Sequence, residues 1–192
     1  MADNVMALPS GFRLQDYEFE SVLASGESSI KYIGIDRKQQ RRVAIEEFLP
    51  APMVHRDSAH AVIPKTPALE SSFKELLKQF LTEAETLSTW HHPNIVEIHR
   101  SFRANGTGYA VMDFVEGQTL SEVLRKVGTV PNEPLQTWLQ PLLGCLESMH
   151  GAGLQHQHIR PGNIVLNDDG SPILLARGLV KQGFSAARQT FG

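Results

Sequence analysis

Between positions 150 and 163 the chain gathers groups able to do chemistry: His150, then His156-Gln157-His158-Ile159-Arg160-Pro161-Gly162-Asn163. An imidazole titrates near neutrality, so His158 has the makings of a base that takes a proton from a hydroxyl. The i, i+2 spacing of His156 and His158, with His150 nearby, is also zinc-ligand chemistry. No Cys, Asp or Glu stands close enough in sequence to complete such a set, so no metal site is expected there. Cys145, the only cysteine, lies in the apolar run Leu142-Leu143-Gly144-Cys145-Leu146 and is expected in a core rather than as a reactive thiol. A single cysteine also excludes an internal disulfide and fits a reducing cytosol.

The 156–163 stretch resembles the catalytic loop of protein kinases, H-R-D-[IL]-K-P-x-N, with its working residues exchanged. His158 stands at the catalytic aspartate and Arg160 at the lysine, while Asn163 keeps the metal-binding asparagine. His156 matches the histidine that packs and bonds the loop. Other segments resemble the family in the same order. Tyr17–Leu23 resembles its first strand, and Val43-Ala44-Ile45-Glu46 its V-A-I-K strand. Phe80-Leu81-Thr82-Glu83-Ala84 resembles the C helix with its glutamate, His92-Pro93-Asn94-Ile95-Val96 the H-P-N-I-V turn, and Met112–Gly117 the hinge. Residues 173–182 resemble the I-L-[IL]-D-F-G segment of bacterial Ser/Thr kinases, and residues 43–50 their V-A-I-K-E-[FY]-[LF]-P.

The resemblance implies a nucleotide cleft whose parts can be checked singly, because phosphoryl transfer is positioning plus charge neutralisation. Of three loop glycines only Gly26 survives in Ala24–Ser29, beside Glu27, so an ordinary turn is expected. The phosphate-bridging lysine is replaced by Glu46, which would face Glu83. Two facing carboxylates must protonate, recruit a base such as Lys31, or swing apart. The metal-binding aspartate is Ala176 if Ala176-Arg177-Gly178 matches D-F-G, the match needing no insertion; Gly183-Phe184-Ser185 is the alternative. Asn163 alone is a poor magnesium site. On this reading Glu46, His158, Arg160 and Ala176 are degenerate positions, no residue is catalytic, and Gly26, Glu83, Met112 and Asn163 line a vestigial cleft. No cofactor and no binding of ATP with Mg²⁺ are expected.

The elements that must position these residues follow from periodicity. The chain has 192 residues, a net charge of −3 and 41% hydrophobic residues, enough for one core or two small lobes. Nothing in the charge marks a nucleic-acid binder, and no apolar run is long enough to span a membrane. Strands are predicted at 17–24, 29–36 and 41–48, with the basic stretch Asp36–Arg42 as a solvated hairpin end. Four prolines make 50–68 an irregular excursion. A helix follows over 71–90 with Phe73, Leu76, Leu77, Phe80, Leu81, Ala84 and Leu87 in one stripe. Strands near 95–103 and 107–115 meet at the turn Ala104-Asn105-Gly106-Thr107. Helices are predicted at 120–124 and 133–152, the latter burying Leu135, Trp138, Leu139, Leu142, Leu143, Leu146 and Met149, and a hairpin over 164–175.

The fold expected is α+β and protein kinase-like: a flexible lead-in over 1–12, an antiparallel N-lobe with its C helix over 13–116, and a shortened, mainly helical C-lobe over 117–192. With cation, base and metal ligand all exchanged, the sequence reads as a non-enzymatic pseudokinase: a regulatory or scaffolding module of a bacterial cytosol. Its partner would be a protein or a second copy, docking on apolar faces left uncovered at Trp138, Leu142 and Leu146. An atypical nucleotide-dependent transferase, or a small-ligand sensor using the Glu46/Glu83 pair, is the alternative.

Overall fold

The computed structural model describes residues 6–129, 132–156 and 158–175, which divide into two units. The first comprises residues 6–89 and 98–114, the second residues 90–97 and 115–175.

The first unit is built on strands β1 (Arg13–Leu14), β2 (Tyr17–Ser25), β3 (Ser29–Asp36), β4 (Arg41–Phe48), β5 (Val54–Arg56), β6 (Val62–Pro64), β7 (Ile98–Ala104) and β8 (Thr107–Asp113), with helix α1 (Glu70–Ser88) between β6 and β7. Six strands form one antiparallel sheet in the order β1-β2-β3-β4-β8-β7. The three predicted strands appear where the alternation of β-branched and aromatic residues placed them. The β7–β8 turn is made by Asn105 and Gly106 at φ 48° and 72°, two successive left-handed residues as a tight hairpin requires. A side chain at Gly106 would also collide with the Val62 carbonyl.

Because strand side chains alternate, β4 presents Ala44, Glu46 and Phe48 to one face and Val43, Ile45 and Glu47 to the other. Helix α1 covers the first face. Phe48 stacks on Phe73 and Phe80 at 5.8 and 5.4 Å, and a Cβ on Gly108 would lie 2.8 Å from Leu77. Phe73, Leu76, Leu77, Phe80 and Ala84 are the buried stripe, as predicted. The opposite face holds Phe19, Tyr32 and Tyr109 in edge-on contact.

In the second unit, β9 (Gln118–Thr119) leads into α2 (Leu120–Val127), followed by α3 (Asn132–Gly151), β10 (Ile164–Leu166) and β11 (Pro172–Leu174). Thr119 caps α2 reciprocally: its Oγ1 accepts from the Glu122 amide and the Glu122 carboxylate accepts from the Thr119 amide. The His92–Val96 turn belongs to this unit. Asn94 donates to the Pro172 carbonyl, and the Val96 amide donates to the Leu174 carbonyl.

Three expectations are corrected. The proline-rich stretch is not wholly irregular: β5 and β6 form a hairpin, tied to the sheet by the Val62 amide donating to the Asn105 carbonyl at 2.7 Å. Residues 6–12 are not a free lead-in. Leu8 is buried, and the Gly11 amide donates to the Phe19 carbonyl at 2.7 Å. On α3 the buried line is Leu142, Cys145 and Met149, whereas Leu139 and Leu143 are 43% and 60% exposed. Placing both in the buried face took too wide a stripe. Leu142 is inside, as its place in the predicted buried face requires, so it is no uncovered docking residue, and Trp138 and Leu146 are half-buried.

Candidate functional site

Lys31 and Glu46 are direct cross-strand partners in the β3–β4 register. Their charged atoms lie 3.6 Å apart with side chains only 8% and 12% exposed. The other carboxylate oxygen of Glu46 accepts from the Ser29 hydroxyl at 2.6 Å. Of the three escapes open to an extra carboxylate at position 46, the molecule recruits Lys31. The cation that position 46 lacks is thus present one strand away on the same face.

Glu83, on α1, takes another course. Its Oε2 has no hydrogen-bond partner among the described residues, and burial pushes its pKa up to about 7. A carboxyl desolvated without a cation holds its proton.

The turn before β3 is closed on itself. The Gly26 amide donates to the Ser29 carbonyl, and the Leu49 and Ala51 amides donate to the carbonyls of Ser28 and Glu27. Gly26 is exposed and its backbone donor is committed within the turn. Met112 is buried opposite Ala44 in the β4–β8 ladder.

In the second unit the 156–163 loop is braced by its own residues. His156 is buried. Its Nδ1 lies 3.3 Å from the His158 amide, which places its proton on Nε2, facing the Leu175 carbonyl at 3.0 Å. Both ring nitrogens are thereby engaged by main-chain groups. Asn163 is buried too. Its side-chain amide donates to the His158 carbonyl at 2.8 Å, and its main chain bonds Arg160 and Leu175. His158 is half-buried and Arg160 exposed. Ala176 and both candidate D-F-G stretches lie outside the described residues. Magnesium needs carboxylates. No three His, Cys, Asp or Glu side chains cluster for a cation among the described residues. Burial pushes the Cys145 thiol pKa up, which disfavours a reactive thiolate.

Sequence reasoning missed the other side of β4. Glu47 is fully buried and accepts from Tyr32 at 2.8 Å, Tyr109 at 2.6 Å and Arg56 at 2.6 Å. Burial works against the Arg56 charge, but Glu47, with Tyr32 and Tyr109, outweighs it, so the guanidinium pKa is raised. Burial, and then the Glu47 charge, raise both phenols. The available signal was the alternation itself, which sends Glu47 into the core whenever Val43 and Ile45 go there.

A model of the protein kinase domain matches residues 17–187. The serine/threonine-protein kinase PknL of Mycobacterium tuberculosis is 29% identical over 176 residues, which cover 92% of this chain and 40% of PknL. PknA of the same species, also named a serine/threonine-protein kinase, is 27% identical over 173 residues, covering 86% of this chain and 35% of PknA. The chain thus spans about 40% or less of the length of these relatives. Among solved structures, the apo form of PpkA-294 superposes with a TM-score of 0.90 at 24% identity, covering 97% of this chain and 66% of the other. These matches overturn the expectation of a non-enzyme: the domain model spans nearly the whole chain, and the relatives are named as kinases. That expectation counted Glu46 as a lost cation and left Lys31 as one of three ways to accommodate the carboxylate; the β3–β4 register puts Lys31 directly opposite it.

Proposed function

The chain belongs to the protein kinase domain family, and from that premise we propose that it is a nucleotide-dependent phosphoryl-transfer domain whose phosphate-facing cation is Lys31 rather than a residue at position 46. The observation that carries this is the Lys31–Glu46 pair, held from the far side by Ser29. A buried ammonium next to a carboxylate stays charged, and a triphosphate can take the place of that carboxylate as its counter-ion. His158 stands where the family carries its base, and an imidazole is a group that can take a proton from a hydroxyl. The competition from Glu46 makes the expected affinity modest.

The test is thermal unfolding with and without ATP, followed by a phosphoryl-transfer assay with labelled ATP. A nucleotide at ~100 times its Kd stabilises by about 2.7 kcal/mol, a readable upward shift. Lys31→Met should abolish the shift. Glu46→Gln, which keeps an acceptor for Ser29 but frees the Lys31 charge, should enlarge it. His158→Ala should leave the shift and remove transfer. A wild-type protein whose midpoint does not move, with or without Mg²⁺, sinks the proposal.

A second reading is a regulatory or scaffolding role through protein contact, in the same molecule. Leu139 and Leu143 favour it: they lie one turn apart on α3 and are both exposed. Light scattering on the eluted protein should show a dimer or larger species that Leu139→Ser with Leu143→Ser returns to monomer. A wild-type monomer at every concentration would remove the self-associating form of this reading.

A further inference from the structure

The face of β4 that carries Glu47 is covered by two pieces of chain that meet on one residue. The Arg56 guanidinium, on β5, donates to Glu47 at 2.6 Å, to the His60 carbonyl at 2.9 Å and to the Met6 carbonyl at 2.7 Å. The Leu8 amide donates to the Tyr32 hydroxyl at 3.0 Å, and Tyr32 in turn donates to Glu47. Phe12 sits edge-on against Phe19 and His60. Within residues 6–10, Leu8 is buried, and the Met6 carbonyl and the Leu8 amide both end on partners of Glu47, while Gly11 and Phe12 hold the next residues to Phe19. Residues 6–10 contribute no strand, so they can leave without breaking a ladder.

Glu47 is bonded through the chain to Glu46. Any change in how β4 is held at Glu47 reaches the Lys31–Glu46 pair across a single peptide unit. We propose that residues 6–10 form a releasable strap whose docking on Arg56 and Tyr32 sets β4, and with it the Lys31–Glu46 pair on the opposite face. With the strap docked, Arg56 and Tyr32 have all their polar partners and β4 is fixed. With it released, Arg56 Nε and the Tyr32 hydroxyl each lose one partner, and the β5–β6 hairpin and the Glu46–Phe48 end of β4 open more often. Whatever removes the strap, whether proteolysis or capture of this segment by a partner, acts on the pair without touching it.

This inference concerns the same pair as the proposed function but is tested without nucleotide, so the two can fail separately. Amide hydrogen exchange is measured on the full chain and on Leu8→Asp, which cannot bury position 8. The expected result is roughly tenfold faster exchange in β5, β6 and residues 46–48, with the second unit unchanged. Faster exchange confined to residues 6–12 overturns the proposal, and so does faster exchange everywhere. Arg56→Lys, which keeps a charge for Glu47 but drops the fork that reaches Met6, guards against a variant that merely unfolds. If strap and Arg56 act as one device, the two substitutions together speed exchange in residues 46–48 hardly more than either alone. If their effects multiply, they are separate and the strap does not set β4.

Discussion

Glu46 and Glu47 are consecutive on one strand and enter opposite faces of one sheet, and the two faces treat a carboxylate differently. Glu47 is sealed. It accepts from a guanidinium and two phenols at 2.6–2.8 Å, and both it and Arg56 are almost wholly out of water. Glu46 keeps some exposure, and its lysine stands at 3.6 Å rather than at hydrogen-bond distance. A buried pair with both carboxylate oxygens bonded is a fixed part of the core, because removing either member strands a charge. A looser pair can be traded for another ligand. The comparison assigns stability to one glutamate and exchangeable charge to its neighbour.

Arg56→Met attacks the sealed side and should have the largest effect. It strands Glu47 beside two phenols, and unfolding in urea should show a loss of about 3–5 kcal/mol. Replacing both members by apolar residues of similar size removes the stranded charge but leaves the Tyr32 and Tyr109 hydroxyls without their acceptor, so it should recover only part of that loss. A loss below about 1 kcal/mol for Arg56→Met, the range of an exposed pair, would erase the distinction between the two faces.

Lys31→Met attacks the looser side. Glu46 retains its bond from Ser29 and some exposure to water, so the expected loss is smaller, about 1–2 kcal/mol. Ser29→Ala should cost about 1 kcal/mol, the net value of one buried hydrogen bond. If Lys31→Met proves as damaging as Arg56→Met, Lys31 is a structural charge and loses its claim to a phosphate.

Much of this arrangement is legible in the sequence. Hydrophobic alternation places β2, β3 and β4 within a residue, Asn105-Gly106 fixes the β7–β8 turn, and the stripe on α1 is read correctly. What escapes is long-range and polar. Arg56 sits in a proline-rich stretch with no periodicity, and nothing local says that it ends on Glu47. The docking of Leu8 depends on Tyr32, 24 residues away. The spacing Thr119-Leu120-Ser121-Glu122 carries a capping box that can be read directly. On α3 the heptad-like run Leu135–Met149 offers more leucines than its partners in this unit cover, so periodicity alone cannot choose which ones face inward. Of the site, position 46 is legible as a charge reversal. Its consequence is not, because cross-strand register decides that Lys31 stands opposite.

Glu83 sharpens the comparison with the smallest effect, because it is a half-buried carboxyl whose Oε2 has no hydrogen-bond partner among the described residues. Its folded pKa is raised by burial to about 7 from an ordinary 4.5. Between those values the folded state holds a proton that the unfolded state has lost, so stability falls as pH rises through this window. The favourable contribution is fully present below the unfolded value and gone once pH passes the folded one. Urea midpoints at pH 5 and pH 8 should therefore differ in the wild type, with the acidic one higher so far as this group decides. Glu83→Gln carries no titrating proton and should narrow that difference by raising the midpoint at pH 8 while leaving pH 5 nearly unchanged. The same change at Glu46 should behave oppositely, lowering stability at pH 8, because there a cation is waiting for the charge. If both variants respond alike, Lys31 does not distinguish the two carboxylates, and the division of labour between the faces of this sheet is wrong.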